Sequence, residues 1–587
     1  MSIIAKLCTE IESVLITLYG IEKPKVEIEQ TNEKFDGDFT FVVFPYLRYS
    51  RKKPEDTASE IGHLITDQLD EIEQFNVVKG FLNLKLSNTF WIEKAAHLFE
   101  SNLDIPSIGS GKTVVVEYSS PNTNKPLHLG HIRNNVLGFS ISKILEANGF
   151  KVIKNNLIND RGIHICKSMV AWQKFGEGET PENSGIKGDH LVGKYYVEFD
   201  KAYKVEVKGL VNNGLSEEDA KEEAPLMKET RAMLKDWEDG NQKVLDLWKE
   251  MNGWVYEGFD KTYGRLGVSF DKIYHESETY LLGKKIVNQG LETGAFYKKE
   301  DGSVWIDLTD EGLDHKILQR ADGTSVYITQ DIGTAILKYQ DFKMDKSIYV
   351  VGNEQDYHFK VLALILKRLD EPHADAVYHM SYGMVDLPEG KMKSREGTVV
   401  DADDLMEEVV SEAKKQTEEL GKTEGMNEDE LNTLYETIGI GALKYFLLRV
   451  DAKKRMLFDP NESIQLSGDT GPFVQYAYTR TSSIIEATDK VEDAEVETLN
   501  TEEKELIKQL SDYGKVVNKC AQDYNPSILS SYCYDLAKSY NKFYHNHSIL
   551  AAEDENTINF RVLLTKQTGE TLKHGFSLLG ISMPERM

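Results

Sequence analysis

Apolar residues form a short continuous run at Val114–Val116, and small polar residues follow it. A buried parallel strand has this β-branched pattern. From about His131 the pattern changes to a helical stripe that Gly149 ends, with apolar positions at Ile132, Val136, Leu137, Ile141, Ile144 and Leu145. Lys151–Ile158 then predicts a second strand, so residues 113–160 are predicted to form a βαβ unit.

A second set of strand and helix patterns follows later in the chain. Ser347–Gly352 and residues 376–380 are typical of buried strands, and residues 357–370 between them predict a helix. Strand–helix–strand at this spacing predicts an α/β fold with a doubly wound, Rossmann-type parallel sheet. Between the two halves, about residues 170–275 are charged and largely helical, which indicates an insertion in the sheet domain.

The patterns divide the chain into four predicted regions, since about 150 residues make a typical domain. In order, they are an α+β region at 1–110, the sheet domain with its insertion at 111–396, a helical stem at 397–460 and an all-helical bundle at 461–587. Within the stem, Asp401–Leu420 and Thr437–Val450 predict helices.

The composition is that of an ordinary globular protein, with 587 residues, of which 40% are hydrophobic and 28% charged. No apolar run approaches the roughly 18 residues that a bilayer span needs, and the first residues predict an amphipathic helix rather than a signal peptide. The cysteines form no Cys-x-x-Cys pair, so neither a zinc knuckle nor a disulfide framework is indicated: Cys8, Cys166, Cys520 and Cys533. We expect a cytoplasmic protein with no membrane partner.

The most informative polar residues follow the first predicted strand. Pro126 stiffens a loop, and His128 and His131 then lie on one face of the first helical turn with Gly130 between them. Free N–H groups at a helix start attract anions, and glycine lets a flat group approach the backbone. This arrangement indicates a binding site for a nucleotide whose phosphate group is attacked in a reaction, rather than for one that is only bound. An isolated His-x-x-His is more often a surface or metal-binding pair, but no further zinc ligands of suitable spacing lie nearby.

This segment resembles a known family. His128–His131 resembles the His-Ile-Gly-His signature of class I aminoacyl-tRNA synthetases, and Glu117–Asn122 followed by Lys125–Arg133 is similar to the arginyl-tRNA synthetases. The resemblance extends from about residue 20 to Met587. It implies ATP-dependent attachment of L-arginine to tRNA(Arg) through an arginyl-adenylate, with Mg²⁺ carried by ATP and without zinc. It further implies that arginine activation requires bound tRNA, and we expect a monomer.

A second segment, Gly390–Thr398, resembles the KMSKS loop of that family but departs from its pattern. Lys393 stands where the pattern has serine, and Ser394 stands where it has the second lysine. The resemblance implies that ATP is bound by His128, Gly130, His131, Lys391, Met392, Lys393 and Ser394, and that the catalytic groups are His128, His131, Lys125, Lys391 and Lys393. Lys125 is a candidate for the missing cation, since arginyl enzymes without that lysine tend to carry one there; which cation replaces it stays open.

Carboxylates and amides indicate how arginine would be recognised, because a guanidinium group needs acids or carbonyl oxygens in a fork geometry. By resemblance, the arginine-binding residues are Glu117, Ser120, Asn122, Tyr327, Asp331 and Gln355. Glu117 and Asn122 would bind the ammonium end, and Tyr327 and Asp331 the guanidinium, with Gln355 nearby. An alternative interpretation makes Asp331 the N-cap of a helix.

The remaining regions would contact tRNA. The resemblance assigns residues 1–110 to the tRNA elbow and 461–587 to the anticodon, with Tyr476, Arg480 and Met587 as contacts. The net charge is −28, and from Asn461 onward 12 basic residues stand against 19 acidic ones, so binding must use a local basic stripe and aromatic stacking. The alternative interpretation of residues 1–110 is a domain that only packs against the rest of the chain. For the insertion, the sequence leaves open a lid, a tRNA-contact surface or both, or inert surface helix.

Two other functions are less favoured. A sister enzyme such as a cysteinyl synthetase would need a zinc-binding cysteine set near the first signature, and the chain lacks one. A non-catalytic RNA-binding paralogue should have lost the histidines or the cationic loop, but His128, His131, Lys391 and Lys393 are all present.

Overall fold

The structure, a computed structural model, describes residues 3–32, 34–100, 103–324, 326–386, 400–421, 425–488, 494–552 and 554–587. The chain folds into two compact units. One consists of Met1–Asp104, Thr481–Tyr513 and Lys538–Thr571, and the other of Ile105–Arg480, Gly514–Ala537 and Leu572–Met587. Within the described ranges, no helix is both long and apolar enough to cross a bilayer.

The first hundred residues combine helices with a small antiparallel sheet. Their elements are α1 (Ile3–Tyr19), β1 (Ile28–Gln30), β2 (Phe39–Val42), α2 (Leu47–Ser50), α3 (Pro54–Gln68), β3 (Ile72–Val78), β4 (Phe81–Leu86) and α4 (Asn88–Glu100). The strands pair in the order β1-β2-β4-β3. Helix α3 packs on β3 and β4, and α1 packs on α3, so the apolar faces of both helices are buried.

The larger unit begins with alternating strands and helices. In chain order they are β5 (Thr113–Glu117), α5 (Leu129–Ala147), β6 (Lys151–Ile158), α6 (Ile163–Phe175), α7 (Pro181–Ser184), α8 (Gly188–Asn212), α9 (Glu217–Glu223), α10 (Pro225–Glu238), α11 (Gln242–Leu266), β7 (Lys272–His275), α12 (Glu276–Thr279), α13 (Leu282–Thr293), β8 (Tyr297–Lys298), β9 (Val304–Ile306), β10 (Lys316–Gln319), α14 (Tyr327–Phe342), β11 (Lys346–Gly352), α15 (Asp356–Arg368), β12 (Val377–Tyr382) and β13 (Val385–Asp386).

Five of these strands form the predicted parallel sheet, in the order β12-β11-β5-β6-β7. Every pairing in it is parallel, so the doubly wound fold is confirmed. Because the chain moves from β5 to β6 on one side and later to β11 and β12 on the other, the switch point lies between β5 and β11. Ligands of such folds bind in the crevice at this point, outside the carboxyl ends of the strands.

Local packing explains why β5 and α5 form as predicted. Val115 and Val116 are fully buried in the sheet. Helix α5 lies close on β5 at Gly138, where a Cβ would approach the Tyr118 ring to 2.4 Å. The Lys151–Ile158 strand has the predicted bounds.

The charged insertion is shorter than predicted. Helices α6 to α11 connect β6 to β7, but Lys272–His275, the last residues of the predicted 170–275 insertion, form the edge strand β7 instead. Only Tyr274 of this strand is buried, so it has no apolar run by which a sequence pattern could mark it. The sheet is therefore one strand wider than the hydrophobic pattern indicates.

The rest of the chain is mainly helical, with α16 (Ala402–Leu420), α17 (Glu428–Leu448), β14 (Met456–Leu457), α18 (Pro460–Ser463), α19 (Gly471–Glu486), α20 (Thr501–Asp523), α21 (Ser527–Asn546) and α22 (Glu555–Leu578). Helix α17 starts nine residues before the predicted Thr437. Its first turns carry a short apolar stripe at Leu431, Leu434 and Tyr435 among acidic residues, and Asn427 and Glu430 form a reciprocal capping box that starts the helix.

Candidate active site

The two histidines of the first signature begin helix α5. His128 is the N-cap, and its Nδ1 accepts the amide N–H of Gly130 at 3.1 Å. The amide of His128 donates to Nδ1 of His131 at 3.2 Å, and the two ring centroids lie 3.9 Å apart. A Cβ at Gly130 would lie 3.0 Å from Cε1 of His128, so the space that glycine leaves holds this ring. Both Nδ1 atoms thus accept backbone N–H groups that have no partner within the helix at its start.

Burial keeps both imidazoles neutral. Burial, followed by the nearby Lys125 ammonium, lowers the pKa of His128 to about 4. Burial first, then His128 and Lys125, lower the pKa of His131 well below its ordinary value. Because Nδ1 accepts a hydrogen bond in each ring, the single proton of the neutral imidazole is on Nε2. Two Nε2–H donors at a helix N-terminus suit the oxygens of a nucleotide phosphate.

The chain returns to this turn immediately after the second signature. The carbonyl of Val400 accepts the N–H of Leu129 at 3.3 Å, and the N–H of Ala402 donates to Leu127 at 3.0 Å. His128 and Asp401 form an antiparallel bridge between these two contacts. The residues expected to bind ATP from the second signature lie outside the described residues: Lys391, Met392, Lys393 and Ser394. Their carboxyl-terminal flank nevertheless lies against the first signature, as a split nucleotide site requires.

Lys125 lines a cavity of about 210 Å³ beside His128. Helix α8 of the insertion forms the facing wall at His190 and Gly193, where a Cβ on the glycine would lie 2.7 Å from the signature loop at Pro126. Burial lowers the pKa of Lys125. No carboxylate pairs with its ammonium among the residues that the structure describes. A partly dehydrated, unpaired cation three residues before His128 suits a phosphate oxygen.

An ion-pair cluster joins the insertion to helix α16. The ammonium of Lys187 lies 3.1 Å from the Asp189 carboxylate and 2.6 Å from that of Asp403. His190 contacts Asp403 at 3.1 Å, and this hydrogen bond raises the pKa of His190. Asp189, His190 and Asp403 lie close enough together to hold a metal ion, but Lys187 already supplies a cation to both carboxylates. The cluster therefore anchors the start of α16 beside the signature turn.

A second cavity, of about 200 Å³, lies at the switch point of the sheet. Glu117 at the end of β5, Asp331 on α14 and Gln355 after β11 all line it, so the structure brings together three of the predicted arginine-binding residues. Asn155 donates to Oε2 of Glu117 at 2.7 Å, and Nε2 of His358 donates to Asp331 at 2.6 Å. Two carboxylates facing one small cavity suit a ligand with two cationic groups.

The other three predicted arginine-binding residues are not among those that line this cavity. Tyr327 begins helix α14 and is 75% exposed, and Asn122 is exposed in the loop after β5. Ser120 lies in the same loop with a left-handed backbone, φ 46°. Asp331 is more than a turn inside α14, so the alternative that it caps this helix is wrong.

Sequence reasoning missed two charged residues near the cavity, Lys338 and Glu276. Lys338 lines the cavity and pairs with Glu117. It lies seven residues after Asp331, on the same helical face, and that spacing was the available signal. A lysine in an amphipathic helix usually reaches solvent, so the charge pattern concealed it.

Glu276 lies just beyond the carboxyl end of β7. Asp160 holds this corner, because its carboxylate accepts from the amide of Ser277 at 2.9 Å and from its hydroxyl at 2.7 Å. Burial, and then the nearby Asp160 and Asp331 carboxylates, raise the pKa of Glu276 to about 7 against the opposing effect of Arg161. A third carboxyl group thus lies near Asp331, and its charge changes near neutral pH.

If the second cavity binds arginine, binding should strengthen as pH rises through about 7, because Glu276, near Asp331, then becomes an anion. We expect kcat/KM for arginine to rise several-fold between pH 6 and 8. Glu276→Gln should remove this rise while leaving the pH dependence of kcat/KM for ATP unchanged. An unaltered arginine profile in the variant would exclude Glu276 as the titrating group.

The predicted tRNA contacts of the carboxyl-terminal region are grouped on α19. The guanidinium of Arg480 lies 4.7 Å from the Tyr476 ring centroid, and both side chains are half-exposed. The final segment is bound to the same helix, since Gln475 donates to the carbonyl of Ser582 at 2.9 Å. Met587, at the end of that segment, is also half-exposed.

Comparison with known families agrees with this arrangement. Residues 95–459 match the model of the class I (R) tRNA synthetase catalytic domain, residues 474–587 the DALR anticodon binding domain, and residues 5–86 the arginyl tRNA synthetase N terminal domain. The chain is 53% identical over 598 residues to the arginine–tRNA ligase of Bacteroides fragilis, covering 100% of both chains. It is 52% identical over 602 residues to that of Flavobacterium psychrophilum, again covering 100% of both.

Solved structures share the fold. The arginyl-tRNA synthetase of Thermus thermophilus superposes with a TM-score of 0.78 at 23% identity, covering 100% of both chains. That of Plasmodium falciparum gives a TM-score of 0.75 at 19% identity, covering 100% of this chain and 99% of the other. From the three matched domains and the full-length relatives, we conclude that this chain belongs to the arginyl-tRNA synthetase family of class I aminoacyl-tRNA synthetases.

Proposed function

We propose that this chain attaches L-arginine to tRNA(Arg) in two steps, with MgATP as the second substrate. The observation that carries the proposal is the β5–α5 connection, which joins the two cavities. Glu117 at its start lines the acid-walled cavity, and Lys125 and His128 at its end line the cavity beside the helix N-terminus. An amino acid in the cavity at Glu117 and a nucleotide in the cavity at Lys125 and His128 would bring the amino-acid carboxylate close to the α-phosphorus.

In the first step the arginine carboxylate attacks the α-phosphorus of ATP, and pyrophosphate leaves. The Nε2–H groups of His128 and His131 donate to the phosphate oxygens as negative charge accumulates on them, which lowers the barrier through preorganised donors. Lys125 neutralises a further oxygen. Lys391 and Lys393 of the second signature bind the β- and γ-phosphates. In the second step the terminal ribose hydroxyl of the tRNA attacks the adenylate carbonyl and AMP leaves.

The acid-walled cavity selects arginine. Asp331 binds the guanidinium together with Tyr327, and Glu117 binds the ammonium group together with Asn122, while Ser120 and Gln355 complete the contacts. If lysine or citrulline bound instead, a carboxylate in this cavity would lack the guanidinium that pairs with it. This loss costs about 1–3 kcal/mol or more of binding free energy, so hydrolytic editing is not required. No zinc takes part in this scheme.

The carboxyl-terminal helices bind the anticodon loop, with Tyr476 and Arg480 stacking on unpaired bases and Met587 beside them. Residues 1–110 contact the tRNA elbow. The enzyme acts as a monomer in the cytoplasm. Stacking of this kind contributes about 1–3 kcal/mol per base, which makes binding possible for a chain with net charge −28.

The reaction is tested by arginine-dependent exchange of pyrophosphate into ATP, with and without tRNA(Arg). Exchange should appear only when the tRNA is present. Charging of the tRNA with another amino acid, and not with arginine, would overturn the proposal.

Replacing Lys125 by methionine should lower the rate of tRNA-dependent exchange by about tenfold to a hundredfold, because a charge-assisted contact to phosphate is worth about 1.5–3 kcal/mol. Lys194→Met is the matched control: this lysine lines the same cavity, but Glu179 already pairs with it at 2.6 Å, so its loss should matter little. Lys393→Met tests the second signature in the same assay. If Lys125→Met is near wild type, Lys125 does not replace the missing lysine.

A further inference from the structure

Helix α14 carries a lysine ammonium inside the acid-walled cavity. Lys338 is 1% exposed, forms an ion pair with Glu117 and lies 4.4 Å from the Tyr349 ring centroid. Asp331 and Thr334 line the same cavity from the same face of this helix. A cation therefore already lies where the proposed substrate brings its own cationic groups.

Burial of the Lys338 ammonium costs free energy of folding, because the charge loses its contact with water. Burial alone would lower the pKa of Lys338, but the Glu117 carboxylate more than compensates, so the pKa is raised and the ammonium stays charged. Packing does not require a buried ion pair. When apolar residues of similar volume replace such a pair, the stability of the folded protein is often unchanged or increased. The pair is therefore better explained by what it does to Glu117 than by stability.

The contacts of Glu117 show that effect. Lys338 and Asn155 both bind Oε2, from two different elements. No further donor reaches this carboxylate among the residues that the structure describes, and its side chain faces the cavity. Two donors thus fix Oε2, whereas none of the described residues donates to Oε1, which is left for a ligand.

We propose that Lys338 is a positioning residue for arginine: by fixing Oε2 of Glu117 it presents Oε1 to the substrate ammonium group. Lys338 itself does not contact the reacting atoms. This inference rests on the proposed function, because it assigns a role within the same arginine site.

The first test compares Lys338→Met with Lys338→Arg in tRNA-dependent pyrophosphate exchange. Without the cation, Glu117 is free to turn or to bind a proton, so KM for arginine should rise about tenfold to a hundredfold while KM for ATP is unchanged. Lys338→Arg keeps the cation and should stay within about threefold of wild type. An unchanged or lower KM for arginine in Lys338→Met would show that Lys338 competes with the substrate, and would overturn the proposal.

The second test asks whether Lys338 acts through Glu117. KM for arginine in Glu117→Gln/Lys338→Met should equal that of Glu117→Gln alone, whereas independent effects would multiply. The double variant leaves no unpaired buried charge, and Glu117→Gln alone keeps a side-chain oxygen to which Lys338 can donate, so this comparison does not depend on the folding of Lys338→Met. A further rise of KM in the double variant would contradict the proposed route.

Lys444→Met is the matched control, since Lys444 is also buried but donates to the carbonyl of Gly580 at 2.5 Å. It should lower Tm without changing KM for arginine. A wild-type chain that exchanges pyrophosphate with another amino acid and not with arginine would overturn both the function and this role. Normal wild-type exchange with unaffected Lys338 variants would overturn the role alone.

Discussion

Replacement of His131 by asparagine is expected to lower kcat for tRNA-dependent arginine activation by about 10²–10³-fold while leaving Tm almost unchanged. The asparagine Oδ1 reproduces the Nδ1 acceptor that the His128 amide needs at 3.2 Å, so the helix start is retained. The Nε2–H donor proposed to contact the phosphate is lost, and removal of one such preorganised donor typically lowers kcat by about 10²–10³-fold.

Glutamine at the same position gives the complementary result. Its side-chain amide reaches the place of Nε2 but cannot accept at the place of Nδ1, so His131→Gln should keep more of the activity and lose about 1 kcal/mol of stability with the cap. Single-turnover formation of arginyl-adenylate and thermal unfolding measure the two effects. Equal loss of activity in both variants would show that the ring acts through structure alone.

The second large effect is expected at Asp331, where replacement by asparagine should raise KM for arginine by about a hundredfold or more. The variant keeps the size of the side chain and an acceptor for His358, which donates to Asp331 at 2.6 Å in the wild-type chain, but it removes the charge proposed to bind the guanidinium. The Asp331 side chain is 38% exposed in this structure, and truncating one partner of a charge pair that the bound substrate would remove from water costs about 2–5 kcal/mol.

Citrulline provides the control for this prediction, because it has the shape of arginine without its side-chain charge. Asp331→Asn should narrow the preference for arginine over citrulline, measured as the ratio of inhibition by the two compounds. If KM for arginine rises while that ratio is unchanged, Asp331 supports the cavity without recognising the charge. Glu117→Gln should weaken both ligands alike, since they share the ammonium group.

The insertion contributes to the cavity beside His128 by close packing. Gly193 of α8 lies against Pro126, and Lys187 of the same segment anchors Asp403 at the start of α16. Helix α8 and the segment after the second signature therefore reach the first signature from two sides. The interpretations that the sequence left open, a lid, a tRNA-contact surface or both, or inert surface helix, did not include this packing against the first signature.

The sequence alone determined the parts of this protein that depend on local patterns. The apolar run Val114–Val116, the helical stripe after it and the strand Lys151–Ile158 each follow from periodicity, because strand and helix bury different repeating positions. His128, Gly130 and His131 are neighbours in sequence, so their meeting at a helix start is also a local property. The acids at positions 117 and 331 were recognised because each lies within a motif.

Only the tertiary structure decided what depends on contacts between distant segments. Strand β7 has one buried residue and exists because β6 pairs with it, so no local pattern marks it. Lys338 and Glu117 are 221 residues apart, and the two histidines are neutral because folding buries them, which their spacing does not show. The role of a charged side chain depends on the dielectric surroundings and the partner that folding gives it. Lys338 therefore lines the cavity with Glu117, although a lysine at its position in a helix is expected to reach solvent.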